Sequence, residues 1–379
     1  MDIRRTVLWM IFSFSLLLLW NNWQIHNGKP SLFGGPTPAA STDANGTPAA
    51  ANSATPSVPN APTAASAPAP SAVPGAATPA PTRSEEVVIT TDVLRLTFDT
   101  LGAQLVRAEL LKYPATGQPD KPTVLLDRAA GLNYVAQTGV VGAGNGQSFP
   151  THQTPFRVVS TDRQLTGDNL DVTFEAESGG VKVTKTFTLH RGRYDIDVRH
   201  DLANVGSAPV TPALYLQLER DGNDPADTSS FYHTFTGMAV YSEQDKFQKM
   251  TFADIEKKKA NYIKQTDNGW IAVVQHYFAT AWVPPQGKPR SNEVLEVQKN
   301  LYAARTIEAV GEIAPGAAAR VDSHLWVGPQ DQKAMAALAP GLELVVDYGW
   351  LTIIAKPLFT LMTWLHSILG NWGLSLIHI

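Results

Sequence analysis

The stretch Tyr194-Asp-Ile-Asp-Val-Arg-His-Asp-Leu202 alternates apolar and polar residues along its whole length. Successive side chains of a β-strand point to opposite faces, so this pattern predicts a strand with one face in a core and the other in water. Residues 170–175, 181–189 and 214–218 repeat the period of two, although Lys185 occupies an apolar position. We therefore expect this part of the chain to build a β-sheet.

Further candidate strands lie on both sides of these four, and glycine or proline residues separate many of them. They cover residues 86–91, 93–99, 103–111, 155–160, 270–283, 301–310 and 320–327. Helical periodicity is found mainly at 252–263 and 331–339. Many strands and few helices predict one large antiparallel sandwich over residues 85–340.

The composition restricts the kinds of site that the chain can carry. The 379 residues have a net charge of −4, so no basic excess indicates nucleic acid as a partner. The chain has no cysteine, which excludes disulfide bonds and thiolate metal sites.

Two arginines precede residues 6–23, an uncharged run whose carboxyl-terminal end carries two tryptophans. Its length of about 27 Å as a helix is near the minimum for crossing a bilayer, and we predict a transmembrane helix there. A cleaved signal peptide is the alternative, but no small-residue cleavage pattern comes directly after the run. The arginines keep residues 1–5 in the cytoplasm and direct the rest of the chain across the membrane. The residues predicted to set this topology are Arg4, Arg5, Trp9, Trp20 and Trp23.

Residues 24–84 are dominated by Ala, Pro, Ser and Thr. Frequent proline disfavours helix and sheet, and too little apolar surface is present to offset the entropy of ordering. We expect a semi-extended linker that holds the sandwich away from the membrane.

The stretch 350–369, WLTIIAKPLFTLMTWLHSIL, is apolar except for a narrow stripe of Thr, Ser and Lys. A lysine at the bilayer centre costs roughly 2.5–3.5 kcal/mol, so we predict a helix that lies flat in the membrane interface. A tilted transmembrane helix and a buried core helix are the alternatives. Proline is accepted at the first helical position, where Pro357 would open the main helical run. The residues predicted to fix this helix in the interface are Trp350, Lys356, Pro357, Trp364 and Trp372.

Residues 85–340 contain no recognised catalytic or phosphate-binding motif. The glycine-rich stretch 142–147 lacks the dinucleotide spacing and is expected to be a loop. Asp221–Asp227 offers oxygen ligands for calcium but lacks the rest of an EF-hand, which favours a polar turn. His200 lies at an apolar position, which favours a hydrogen-bonded core histidine over a catalytic base. Lys257–Lys259 is interpreted as the solvated face of a helix.

Several motifs in a fixed order resemble the YidC/Oxa/Alb family of membrane protein insertases. They are 270–284, 325–330, 346–350, 356–359, 364–367 and 370–373. The motif residues, for which a structural role is expected, are Trp270, Gln275, Tyr277, Phe278, Trp282, Trp326, Gly328, Pro329, Asp347, Tyr348 and Gly349.

The resemblance implies a β-supersandwich of the mutarotase-like kind on the periplasmic side of a Gram-negative inner membrane. It implies an interfacial amphipathic helix in 341–370, and no enzyme activity, catalytic residue, cofactor or metal. The partners it implies are the lipid bilayer, the Sec translocon with its SecD/SecF subunits, and nascent membrane proteins that are inserted with or without that translocon.

In this family the insertase groove is formed by five later transmembrane helices. We expect 371–379 to be the start of the first of them, and the chain to be an amino-terminal fragment without the groove. The last six residues, Leu374–Ile379, match a translation of a transposon adapter, which supports that expectation.

An alternative function is a tethered periplasmic carbohydrate-binding or mutarotase-like protein. It requires an acid and a base that converge in a cleft, for which the sequence offers His190, His200 and Glu219. A purely structural envelope tether is a third hypothesis.

Overall fold

A computed structural model describes residues 84–129, 131–142, 148–225, 235–346 and 352–370. The predicted transmembrane helix and linker, with Arg4, Arg5, Trp9, Trp20 and Trp23, lie outside the described residues, and so does 371–379.

The strands of the described residues are β1 (Glu86–Thr90), β2 (Leu94–Asp99), β3 (Gln104–Ala115), β4 (Gln118–Leu126), β5 (Tyr134–Gly142), β6 (Arg157–Val158), β7 (Asn169–Ser178), β8 (Val181–His190), β9 (Asp195–Asn204), β10 (Pro212–Asp221), β11 (Gly237–Ser242), β12 (Lys246–Met250), β13 (Gln265–Thr266), β14 (Trp270–Gln275), β15 (Phe278–Val283), β16 (Arg290–Gln298), β17 (Leu301–Ala309) and β18 (Ala318–Pro329). The helices are α1 (Phe252–Glu256), α2 (Gln332–Leu338), a 3-10 helix (Leu342–Val345) and α3 (Thr352–Leu369).

The strands of this part of the chain form two sheets, and the strands named above pair antiparallel throughout. Sheet 1 has the order β1-β2-β3-β5-β10-β17-β16-β13, with β4 paired to β3. Sheet 2 has the order β12-β11-β14-β15-β18-β9-β8-β7-β6. Buried side chains of both sheets form one apolar cluster, so the predicted sandwich is confirmed.

Alternating patterns identified the half-buried strands, but six strands escaped them: β4, β5, β11, β12, β13 and β16. Every residue of β5 and β11 is buried, so neither strand has a face in water that would produce an alternation of apolar and polar residues. Prolines interrupt β4, and polar residues dominate β16. Full burial thus weakens the alternating pattern without always removing it, since β10, β14 and β15 are equally buried and were covered by the predicted strands.

Two predicted elements need correction. The single strand expected at 270–283 is a hairpin, since Gln275 pairs with Phe278 across a two-residue turn. Tyr277 reverses the chain there with a φ of 67°, although neither Gly nor Pro marks the turn. The helix expected at 252–263 ends at Glu256, and Lys258 then adopts a left-handed φ of 54°. The three lysines 257–259 are exposed but lie after the helix and do not form its face.

Lys185 bridges the two sheets from inside the sandwich. Its Nζ donates to the carbonyl oxygens of Gly102 (2.7 Å) and Thr138 (2.8 Å) and lies 4.5 Å from the ring centre of Phe156. His200, its partner across β8 and β9, is also buried and its Nε2 lies 2.9 Å from the Thr138 Oγ1. Burial lowers the pKa of Lys185 to about 7, and burial together with the Lys185 charge lowers the pKa of His200 to about 3.

A third layer covers the outer face of sheet 2. Trp270 stacks on Tyr241, with ring centres 5.4 Å apart, and its Nε1 donates to the Pro340 carbonyl (3.1 Å). Met335 of α2 and both Leu342 and Val345 of the 3-10 helix pack into the same buried cluster as these rings. Sheet 2 is therefore buried on both faces in this region, and the layer carries the chain towards α3.

The lysine inside the sandwich predicts a pH-dependent stability. Between pH 7 and pH 9 the unfolded chain retains a lysine proton that the folded chain has released, so the free energy of unfolding rises with pH. We expect Lys185→Met to reduce this rise by about 2 kcal/mol. The measurement is denaturant unfolding of the chain at both pH values.

Lys182→Met is the matched control, because Lys182 lies on the same strand with its side chain on the half-exposed outer face. It should retain the wild-type rise. Identical pH dependence in the wild type and Lys185→Met would contradict the bridge as described.

The third layer predicts unequal effects of two glycine substitutions. Gly341 and Gly311 both have left-handed backbone, with φ of 75° and 98°. A Cβ at Gly341 would lie 2.3 Å from the Tyr241 ring, whereas a Cβ at Gly311 meets no described atom within 4 Å. Both alanine variants incur backbone strain of about 1 kcal/mol, but Gly341→Ala must also displace the ring.

We expect Gly341→Ala to lower the free energy of unfolding by at least about 1 kcal/mol more than Gly311→Ala. Limited proteolysis should also cut the 331–346 segment faster in Gly341→Ala only. Equal effects of the two variants would show that Tyr241 does not hold this layer.

Candidate membrane-facing site

The family-motif residues occupy three different environments. Trp270 and Trp326 are buried on the outer face of sheet 2, under α2 and the 3-10 helix. Trp282 points into the sandwich, where its Nε1 donates to the Gln217 carbonyl of sheet 1 (3.0 Å). The remaining described ones, Gln275, Tyr277, Phe278, Gly328 and Pro329, lie at one end of sheet 2, where β14, β15 and β18 meet.

Gln330 fixes the turn between β14 and β15. Its backbone N–H donates to the Tyr277 carbonyl (2.9 Å), and its side-chain Nε2 donates to the carbonyls of Gln275 (3.0 Å) and Phe278 (3.3 Å). The Tyr277 side chain is 63% exposed at the tip of this turn. An aromatic side chain is thus presented to solvent on a turn with little freedom to move.

A row of aromatic rings connects this turn to the outer face of sheet 2. Phe278 contacts Tyr113, Tyr113 contacts Tyr194, and Tyr194 contacts Trp326, with ring centres 5.7, 6.2 and 6.3 Å apart. A Cβ at Gly328 would lie 2.6 Å from the Tyr194 Cβ, so glycine allows that ring to approach the strand. The motif residues therefore position an aromatic wall at this end of the sandwich.

A cavity of about 1390 Å³ lies at the same end. The β3–β4 hairpin, the end of β10, the β14–β15 turn and the start of α2 supply most of its wall, and Thr363 of α3 also lines it. Arg220 is buried in this wall, where desolvation lowers its pKa against the opposing effect of Tyr134, Asp221 and Asp224. Desolvation likewise raises the pKa of Tyr134 above its ordinary range, with Thr280 and Arg220 acting against it.

Arg220 is a residue that sequence reasoning missed. In β10 the side chains of Leu214, Leu216 and Leu218 belong to the sandwich core, and Arg220 comes next at the same period of two. A charged residue at an apolar position of a strand is the signal that could have identified it, as it did for Lys185.

Helix α3 exposes an apolar face. The side chains of Leu358, Leu361, Trp364 and Ile368 are 43%, 42%, 58% and 63% exposed. Steps of three and four residues place these four positions on one side of a helix. Thr363 lies on a different side, half-buried at the cavity. The polar stripe of this helix is thus turned, at Thr363, towards the end of the sandwich.

The start of α3 differs from the expectation. The helix begins at Thr352, so Pro357 lies inside it and does not open the main run. Lys356 also belongs to α3. Asp347, Tyr348, Gly349, Trp350 and Trp372 lie outside the described residues. No helix that the structure describes has both the length and the apolarity needed to cross a bilayer.

The three candidate acid and base residues do not converge. His190 lies on the outer face of sheet 2, where its Nε2 is 2.8 Å from Asp197 Oδ2. His200 is inside the sandwich, and Glu219 lies on the outer face of sheet 1 with its carboxylate accepting from Asn133 Nδ2 (2.7 Å). They thus occupy three separate faces, and a mutarotase-like site built from them is wrong.

Asp221, the first residue of the calcium candidate, forms hydrogen bonds with backbone groups of the protein. Its two carboxylate oxygens accept hydrogen bonds from the backbone N–H groups of Asn133 (2.7 Å) and Asn223 (2.9 Å). The described residues include no group of three or more His, Asp or Glu side chains placed to hold a metal ion. Asp227 and most of the glycine-rich stretch 142–147 lie outside them.

Comparison with known proteins shows what the chain is similar to. Residues 86–361 match the family described as the YidC periplasmic domain. The chain is 77% identical to the membrane protein insertase YidC of Bordetella parapertussis, over all of this chain and 67% of that protein. It is 46% identical to the YidC insertase of a Janthinobacterium species, over all of this chain and 66% of that protein.

A solved structure of a galactose mutarotase related enzyme from Lactobacillus acidophilus is also similar. It is 7% identical, with a TM-score of 0.43, and covers 64% of this chain and 97% of that one. The two insertase relatives and the matched domain decide the assignment. The chain belongs to the YidC family of membrane protein insertases.

Proposed function

We propose that the chain is the periplasmic module of an inner-membrane insertase, and that it rests on the bilayer through α3. Family membership supports the insertase role, and the name of the matched domain supports a periplasmic position. The observation that carries the contact with lipid is the exposed apolar face of α3 at Leu358, Leu361, Trp364 and Ile368.

The energy of this contact is sufficient for a surface helix. Removing a half-exposed Leu, Ile or Trp side chain from water contributes on the order of 1 kcal/mol, so four of them give roughly 4 kcal/mol. On a helix in the interface Trp364 would lie at the level that tryptophan prefers in a bilayer, between head groups and acyl chains. A helix held in this way lies parallel to the membrane and does not cross it.

The sandwich serves as a rigid support in this proposal. Its wall at the cavity end faces Thr363, on a different side of α3 from the apolar residues. The folded domain, which we assign to 85–340, would therefore sit above the helical region 341–370 and keep it at the lipid surface. A transmembrane helix at 6–23 and the linker at 24–84 would tether the same domain to the membrane.

The substrates and partners are those that the family implies. The module would assist the insertion and folding of nascent membrane proteins in the bacterial inner membrane, alone or with the Sec translocon and its SecD/SecF subunits. No bond is made or broken in that process, so the role is that of a chaperone and not of an enzyme. Polar segments need such help because burying an unpaired polar group in lipid is costly.

The absence of cysteine allows a direct test of the α3 contact. Single cysteines at Leu361 and Ile368, on the apolar face, carry an environment-sensitive NBD fluorophore in the full chain reconstituted in liposomes. We expect blue-shifted emission and strong quenching by lipids with a nitroxide in the upper acyl chain, because both positions would lie below the head groups.

Cysteines at Thr360 and Ser367 are the matched controls, since both positions are exposed and each precedes a probe position by one residue, which places it about 100° away around the same helix. Their fluorophores should keep the emission of a polar environment and resist quenching by lipid. Quenching that is equal at all four positions would indicate a helix that crosses the bilayer, and no quenching at any of them would indicate that α3 does not touch lipid.

A further inference from the structure

Arg220 is a buried cation in the wall of the cavity, and its position in a strand core is unusual. The side chain is 5% exposed and stands over the rings of Tyr134 and Phe252, at 5.4 and 5.7 Å from their centres. Its Nη2 makes a long hydrogen bond to the Asn223 carbonyl (3.3 Å), whereas its Nη1 is buried without a hydrogen-bond partner among the described residues. A buried charge is ordinarily paired, because desolvation without compensation costs several kcal/mol.

The described carboxylates around the cavity form no ion pair with Arg220, although the charges of Asp221 and Asp224 act on it from a distance. Asp221 accepts from two backbone N–H groups, Asp127 pairs with Arg107, and Asp331 caps α2 by accepting from the N–H groups of Lys333 and Ala334. Asp224 is exposed at the rim and forms no ion pair with any described residue.

The basic groups of the wall are less engaged. Lys121 and Lys333 line the cavity together with Arg220, and none of the three forms an ion pair with another described residue. The described lining carries these three cations and four carboxylates, Asp127, Asp221, Asp224 and Asp331, so it has no positive excess and an anion would be held by individual cations. Arg220 is the buried cation among them, and a guanidinium with an unpartnered Nη1 is a donor that matches a phosphate or carboxylate oxygen pair.

The rest of the cavity is not built for a free inorganic anion. A volume of about 1390 Å³ greatly exceeds that of a phosphate ion, and the wall includes the aromatic side chains of Tyr113, Tyr277 and Phe278. Leu132, which is 48% exposed, lies at the same cavity. An anionic group attached to an apolar body fits such a wall better than an anion that is fully hydrated.

The free edge of β4 argues against an extended peptide as the occupant. Within the described strands β4 pairs with β3 only, and it borders the cavity at Gln118, Lys121 and Pro122. A peptide would bind here most simply by adding a strand to that edge. Pro119 and Pro122 lack the N–H groups that such pairing needs, and prolines protect edges from it.

We propose that this cavity binds an anionic phospholipid, with Arg220 as the ligand of the phosphate and the aromatic wall against the glycerol and the upper acyl chains. Thr363 of α3 lines the cavity, so lipid would enter from the surface on which α3 lies. The choice of lipid over other anions therefore rests on the proposed position of α3 at the bilayer. The module would recognise anionic head groups in addition to resting on the membrane.

The test uses the full chain in maltoside micelles and dihexanoyl phosphatidylglycerol below its micelle-forming concentration. Calorimetric titration of the wild type should give saturable 1:1 binding. Arg220→Met should raise Kd at least tenfold because both guanidinium donors are lost, and Arg220→Lys should give an intermediate Kd because it keeps the charge only. Arg157→Met is the charge-matched control and should bind as the wild type does, since Arg157 is exposed on β6, at the edge of sheet 2.

Leu132→Trp provides a variant that leaves Arg220 intact, in case Arg220→Met does not fold. A larger side chain at the exposed rim should narrow the entrance and raise Kd several-fold. Zwitterionic dihexanoyl phosphatidylcholine should bind more weakly than phosphatidylglycerol to the wild type.

Three results would overturn the proposal: no saturable binding by the wild type, equal binding by Arg220→Met, or displacement of the lipid by inorganic phosphate or a glutamate-rich peptide at equal concentration. The probe is monomeric and does not require α3 to touch a bilayer. If α3 proved not to contact the bilayer while the binding of phosphatidylglycerol remained intact, only the proposed function would therefore be contradicted.

Discussion

The burial on both faces of one part of sheet 2, the strands β11, β14, β15 and β18, is the constraint on which the rest of the structure depends. Its inner face joins sheet 1 in the main core, where Trp282 and Lys185 each donate to backbone carbonyls of the opposite layer. Its outer face is covered by α2 and the 3-10 helix through Trp270 and Trp326. A sheet that is apolar on both sides must be covered twice, and the second cover is the segment that leads to α3.

This arrangement gives the family motifs a common structural purpose. Trp270 and Trp326 attach the carboxyl-terminal layer to sheet 2, and Gln330 and Gly328 shape the end of the sheet where the aromatic rings lie. The same end contains the cavity and the cation Arg220. Structure that stabilises the domain thus also determines which end of it lies next to α3.

The fold class could be predicted from the sequence because strands such as β7, β8 and β9 have one face in the core and one in water, so their residues alternate between apolar and polar. The sequence did not predict β5 or β11, which are buried on both faces and show no period. Lys185 and Arg220 break the apolar pattern of their strands, and each proved to be buried. Their partners could not be foreseen, since the Lys185 carbonyls lie 83 and 47 residues away in the chain. The cavity likewise joins segments from Tyr113 to Thr363, which no local pattern relates.

The side of the membrane on which the sandwich lies tests the account most directly. Val205 is exposed in the sandwich, so Val205→Cys in the otherwise cysteine-free chain reports the domain, and Asp2→Cys reports the amino terminus. In cells with a permeabilised outer membrane, a maleimide that cannot cross the inner membrane should label Val205→Cys at once and Asp2→Cys only after lysis. Labelling of Asp2→Cys alone before lysis would place the sandwich in the cytoplasm and contradict the account.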